Sequence, residues 1–185
     1  MSAREQQAFE FCQKQDYESA YPFLLQAADE RSSWAASFLG WMFEYGHYVE
    51  KNSEEALKYY LLASADGDPD ALYRLGLLLV DMKRYLDAEK IFQTGMETGH
   101  LGCQYNYGWL LFKSAENESN KSLGERLVQD AASKGHLFAK RKLISIQLRQ
   151  NRTILGQIKA ALQIFALSFA VFREGARDQY SLRIH

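Results

Sequence analysis

Four histidines, two cysteines and a few neighbouring carboxylates are the side chains of this chain that could bind a metal or run acid–base chemistry. His47, His100, His136 and His185 are scattered, and no HExxH or CxxC spacing brings two ligands onto one helix face or loop. Cys12 and Cys103 are too few and too far apart for a disulfide framework or a metal pair, and read as small buried fillers. Glu54 and Glu55 fall in the first turn of an expected helix, where negative charge complements the helix dipole rather than forming a catalytic pair. There is no phosphate-cradling glycine loop and no Ser or Cys nucleophile in a motif. Asn117, Asn120 and Asn151 begin glycosylation-like tripeptides that read as chance matches. The expectation is a non-enzyme, with no catalytic residues, metal, cofactor or small-molecule substrate.

The histidines are more informative as markers of position. His100 follows Gly99 and His136 follows Gly135, so they occupy one register of a repeated element. A second marker agrees: a small residue, three residues, an apolar residue and then Gly. It appears as Ala35 with Leu39-Gly40, Ala71 with Leu75-Gly76 and Cys103 with Tyr107-Gly108, then degenerately as Ala139 with Leu143-Ile144, at spacings of 36, 32 and 36 residues. Between these markers, residues 35–45 and 55–65 carry apolar positions at helical spacing, and Gly46 and Gly67 stop them. Each unit is therefore a helical hairpin. Small residues such as Ala35 and Gly40 let the second helix approach, and Tyr59 and Tyr60 are expected to fill the space between neighbouring hairpins. One hairpin cannot bury its apolar stripe alone, whereas a stack can.

Ala35, Leu39-Gly40, Phe43, Gly46, Val49, Ala56, Tyr59-Tyr60, Ala63 and Gly67 together resemble the Sel-one-like repeat (SLR) family, relatives of the tetratricopeptide-repeat solenoids. Phe43 stands where Tyr is usual, and Ser64 replaces the second Ala of the closing motif. Lys83 to Ala88 and Gln15 to Ala20 look more like tetratricopeptide turns, the latter implying a divergent first hairpin over residues 3–29. The resemblance implies an all-α, right-handed α-α superhelix of about four hairpins, and protein–protein scaffolding as its use. The expected organisation is a repeat solenoid over 1–150, an apolar C-terminal helix over 151–173 and a polar tail over 174–185.

In such a solenoid the first helix of each hairpin lines the concave face. The expected partner-binding residues are Ser37, Trp41 and Glu44, then Tyr73, Leu77 and Val80, then Tyr105, Trp109 and Phe112, with Arg141 and Ser145 in the last copy. Trp, Tyr and Arg dominate interface energetics, although Trp41 and Trp109 could equally pack within the superhelix.

Formal net charge is only −1, but it is unevenly placed: residues 1–130 hold 12 basic and 21 acidic side chains, residues 131–185 hold 10 and 2. No acid occurs from Ala131 to Arg173, a stretch that contains Lys134, Lys140, Arg141, Lys142, Arg149, Arg152, Lys159 and Arg173. This basic patch runs into Ile154–Phe172, 19 residues with one charge. On a helical projection Ile154, Ile158, Leu162, Phe165, Phe169 and Phe172 share a face, which Ile164, Leu167 and Val171 are expected to widen. Three readings stay open: a cap closing the solenoid, attachment to a partner or an anionic membrane surface, and a marginal membrane span burdened by Lys159 and Gln163. Nucleic acid is disfavoured, because the basic residues are not interleaved with exposed aromatics. The first residues lack an apolar signal-like run, so the expected location is cytoplasmic, with the inner face of a membrane as the alternative. The function expected from all this is a non-catalytic adaptor holding a protein or peptide in its groove. The alternative is a membrane-attached accessory subunit that recruits an enzyme.

Overall fold

The computed structural model of the chain describes residues 2–114, 117–150, 156, 158–159 and 161–169, with side chains in the ninth helix placed as far as Ser145. All regular elements among these residues are helical: α1 (Ala3–Gln13), α2 (Tyr17–Asp29), α3 (Ser33–Tyr45), α4 (Ser53–Ser64), α5 (Pro69–Asp81), α6 (Tyr85–Glu97), α7 (Leu101–Ser114), α8 (Glu118–Ser133) and α9 (Leu137–Gln150). They form two compact units, residues 1–103 and residues 104–185. Each is built from successive helices packed on their neighbours, the architecture of an α-solenoid.

Helix starts are set by side chains that take up the orphan N–H groups of the first turn. Asp16, Ser32, Asn52, Asp68 and Asn117 accept backbone N–H groups at 2.8–3.1 Å. His100 and His136 do the same through Nδ1, accepting from Cys103 N–H at 3.1 Å and Ala139 N–H at 3.2 Å. The repeated histidines are therefore helix caps, as their shared register suggested. At the other end, α3 stops at Gly46 in the left-handed conformation (φ 76°), which turns His47 back so that its N–H reaches the Met42 carbonyl.

In the first unit, α1/α2, α3/α4 and α5/α6 are the three hairpins. Ala35, Leu39, Met42, Ala63 and Ala71 join Ala8, Cys12, Ala20 and Leu24 in one buried cluster. Gly40 explains how α3 and α4 come together: a Cβ there would lie 2.7 Å from the Tyr60 ring. Phe92 covers Gly76 in the same way between α5 and α6. Tyr60 departs from expectation. It does not fill the space between hairpins but lies wholly buried inside its own, its hydroxyl donating to the Glu44 carboxylate at 2.7 Å. Tyr59 stacks on Phe43 at 5.6 Å and packs against the shared cluster.

The second unit solves the same problem differently. Val128 stands where Tyr60 and Phe92 stand in the earlier hairpins, and Gly124 where they have Ala56 and Ala88. With no ring to accommodate, the backbones of α7 and α8 meet directly: a Cβ on Gly108 would lie 2.9 Å from the Gly124 carbonyl oxygen. Gln104 ties the pair further, its Nε2 donating to the Leu127 carbonyl at 3.1 Å and to Asp130 at 2.7 Å.

Candidate functional site

Each first helix turns one side inward and leaves the other partly in solvent. On α3, Ala35, Leu39 and Gly40 are buried whereas Ser37, Trp41 and Glu44 are part-exposed. On α5 the buried set is Ala71, Leu75 and Gly76, and Tyr73, Leu77 and Val80 are part-exposed. On α7, Cys103 and Gly108 are buried while Tyr105, Trp109 and Phe112 are part-exposed. The positions chosen from the repeat register are thus part-exposed on each of these helices.

These side chains are held by neighbours rather than projecting freely. Trp41 lies flat on His47 (ring centroids 4.2 Å, 21°), edge-on to Tyr17 at 5.6 Å and against Phe38 at 5.1 Å. Packing and accessibility coexist at this tryptophan. Glu44, part-exposed at its expected position, accepts the Tyr60 hydroxyl. That contact, with burial as the larger cause, pushes the Tyr60 phenol above its ordinary range.

Tyr73 packs on His100 (4.8 Å) and Tyr105 on His136 (5.0 Å), a pairing repeated one unit apart. His100 Nε2 also lies 3.2 Å from Asp70 Oδ1, and the hydrogen bond from His100 lowers the Asp70 carboxyl below its usual value. Sequence reasoning missed both pairs and the His47–Trp41 stack, although Tyr73/Tyr105 and His100/His136 recur at one spacing and could have been read together.

In the second unit Trp109 stacks on Phe112 (5.6 Å, 22°), and the Lys142 ammonium sits 3.5 Å above the Trp109 ring. The expected basic patch is partly engaged: Lys134 binds Asp130 at 2.6 Å, Arg141 is exposed and Lys140 is part-buried. The side chains of Arg149 and Arg152 lie outside the described residues, as do Ile154, Val171, Phe172 and Arg173. Cys12 and Cys103 are buried, and burial pushes both thiols up to about 12. No group of His, Cys, Asp and Glu able to hold a metal occurs among the described residues.

Residues 158–159 and 161–169 are helical. Ile158, Leu162, Phe165 and Phe169 are 52–75% exposed, whereas Ile164 and Leu167 are part-buried. At about 100° per residue the four exposed side chains fall within about 60° of one another, and Ile164 and Leu167 lie on the other side of the helix. They do not widen the phenylalanine face; the helix has two separate apolar sides. No helix among the described residues is long and apolar enough to cross a membrane.

The Sel1 repeat family matches residues 6–32, 35–68, 69–85 and 102–136. Similar solved structures include a Sel1 repeat protein from Oxalobacter formigenes, 22% identical, TM-score 0.60, with 70% of this chain and 53% of that one covered. Another is a protective antigen of uropathogenic Escherichia coli strains displaying an SLR fold, 20% identical, TM-score 0.64, with 82% of this chain and 33% of that one covered. The chain thus spans about half and about a third of the lengths of these two proteins.

Proposed function

Because the chain belongs to the Sel1 repeat family, whose repeats generally mediate protein–protein interaction and are typically non-catalytic, we propose that it is a non-enzymatic scaffold. It binds a protein or peptide on the part-exposed sides of α3 and α5 in the first unit, or on those of α7 and α9 in the second. The observation that carries this reading is the two-sidedness of the first helices. Ser37, Trp41, Tyr73, Leu77, Tyr105, Trp109 and Phe112 stay part-exposed although Leu39, Gly40, Leu75, Gly76, Gly108 and Leu111 on the same helices are buried. Half-buried aromatics held by neighbours are preorganised, so little side-chain entropy is lost when a partner docks. Glu44 accepts the Tyr60 hydroxyl, and Arg141 supplies an exposed positive charge on α9.

The test is affinity capture with the full chain and with a Tyr73→Ala/Tyr105→Ala variant, checked for unchanged helicity. Proteins retained by the parent and lost by the variant support the reading, and an identical retained set refutes it. A second reading, a membrane-attached accessory subunit whose repeats recruit an enzyme, is favoured by the exposure of Phe165 and Phe169.

A further inference from the structure

The phenylalanine side of the C-terminal helix is the most exposed run of large apolar side chains among the described residues, with Phe165 at 75% and Leu162 and Phe169 at 65%. We infer that this face seats on an anionic membrane surface, the helix lying in the interfacial plane. The inference rests on the membrane-attached reading and names its lipid chemistry.

Three observations carry it. Ile164 and Leu167, on the other side of the helix, are part-buried, whereas this side stays largely exposed. Large exposed apolar strips are uncommon unless something covers them. The sequence around the strip is acid-free from Ala131 to Arg173, and Lys159 and Arg141 are exposed while Lys140 is part-exposed. Positive charge beside an apolar helix face complements negatively charged headgroups, at about 1 kcal/mol per basic residue near such a surface. The same charge opposes pairing of this face with a second copy of itself. Finally, Lys159 lies about 100° around the helix from Ile158, at the edge of the strip, where a lysine stem can cover lipid while its ammonium stays among headgroups.

Flotation of the full chain with two kinds of vesicle tests this: phosphatidylcholine alone, and phosphatidylcholine mixed with phosphatidylserine. The expected result is binding to the mixed vesicles, falling at least about fivefold between about 0.1 M and about 1 M salt as the charges are screened. Phe165→Ser/Phe169→Ser should abolish it with helicity unchanged. Lys159→Glu, which leaves the apolar strip intact, should weaken it. Equal binding to both vesicles, indifferent to salt, overturns the anionic surface but leaves membrane attachment standing. No binding to either overturns both, and light scattering that then shows concentration-dependent association, lost in the Phe165→Ser/Phe169→Ser variant, assigns the strip to a second copy. An acidic protein that binds the full chain through the same two phenylalanines, without flotation, likewise sinks the inference.

Discussion

His100 reaches Asp70 at 3.2 Å through Nε2 while its Nδ1 caps the first turn of α7, so one ring closes α7 and bonds the start of α5. The arrangement requires the Nε2–H tautomer, because Nδ1 must accept the Cys103 N–H. Asp70 is the group whose titration should show in stability. Its folded pKa lies below the ordinary 3.8, so its contribution is present above that value and is lost as pH falls through the depressed one. The Asp70 side chain is 83% exposed, which limits the pair to about 0.5 kcal/mol or less. Asp70→Asn should therefore lower the urea midpoint slightly at neutral pH, and the difference from the parent should vanish once acidification has passed the depressed Asp70 value. A difference that persists unchanged in acid would show that the carboxylate charge is not what matters.

The hairpins were legible from sequence because close approach of two helices demands small residues at fixed spacing. Ala35 with Gly40 and Ala71 with Gly76 met that demand visibly. What faces the glycine was less legible: Tyr59 and Tyr60 are adjacent and equally aromatic, and only the helix's rotation decides that Tyr60 goes inward. Gly124 was passed over for the same reason, since its meaning appears only when Val128 is seen to lack the ring of Tyr60 and Phe92. At the candidate site, register found the accessible positions, but the partners that hold them, His47, His100 and His136, enter from turns whose path no periodicity describes. The C-terminal segment read as one wide apolar face, and the part-burial of Ile164 and Leu167 separates it into two sides.

Gly76 offers a direct test of hairpin packing. Any Cβ there meets the Phe92 ring, which is itself fully buried and cannot swing clear. Gly76→Leu should lower stability by about 1–3 kcal/mol through overpacking. Gly76→Ala combined with Phe92→Leu should recover part of what Gly76→Ala alone loses. Thermal melts followed by circular dichroism decide it, and additive losses would mean that the two positions do not touch.

Cys12 and Cys103 should be silent toward thiol reagents in the native state. Both are buried and raised to about 12 by that burial, so the reactive thiolate is scarce at neutral pH. Labelling with a disulfide reagent should proceed only as denaturant unfolds the chain. Cys103→Ala should be mild, because the other copies carry Ala at that position, whereas a larger residue would collide with Gly95, which the Cys103 sulfur covers. Rapid labelling of either thiol in the folded protein would contradict the packing described.

Trp41 and Trp109 should separate folding from binding. Trp41 touches Tyr17, Phe38 and His47, two of them outside its own helix. Trp41→Ala should therefore cost stability, about 2 kcal/mol, less than the 3–5 typical of a fully buried aromatic because the ring is only part-buried. Trp109 contacts Phe112 on its own helix and the Lys142 ammonium, and losing such contacts should cost about 1 kcal/mol. If the accessible strip binds a partner, Trp109→Ala should nevertheless weaken capture by about 2 kcal/mol or more, the range of an interface hot spot. Lys142→Gln should produce part of that loss by removing the charge above the ring. Melting temperature and retained partner are measured on the same preparations. A Trp109→Ala protein that melts far below the parent yet captures the same proteins would make Trp109 a packing residue, and would leave the strip on α7 without a role in recognition.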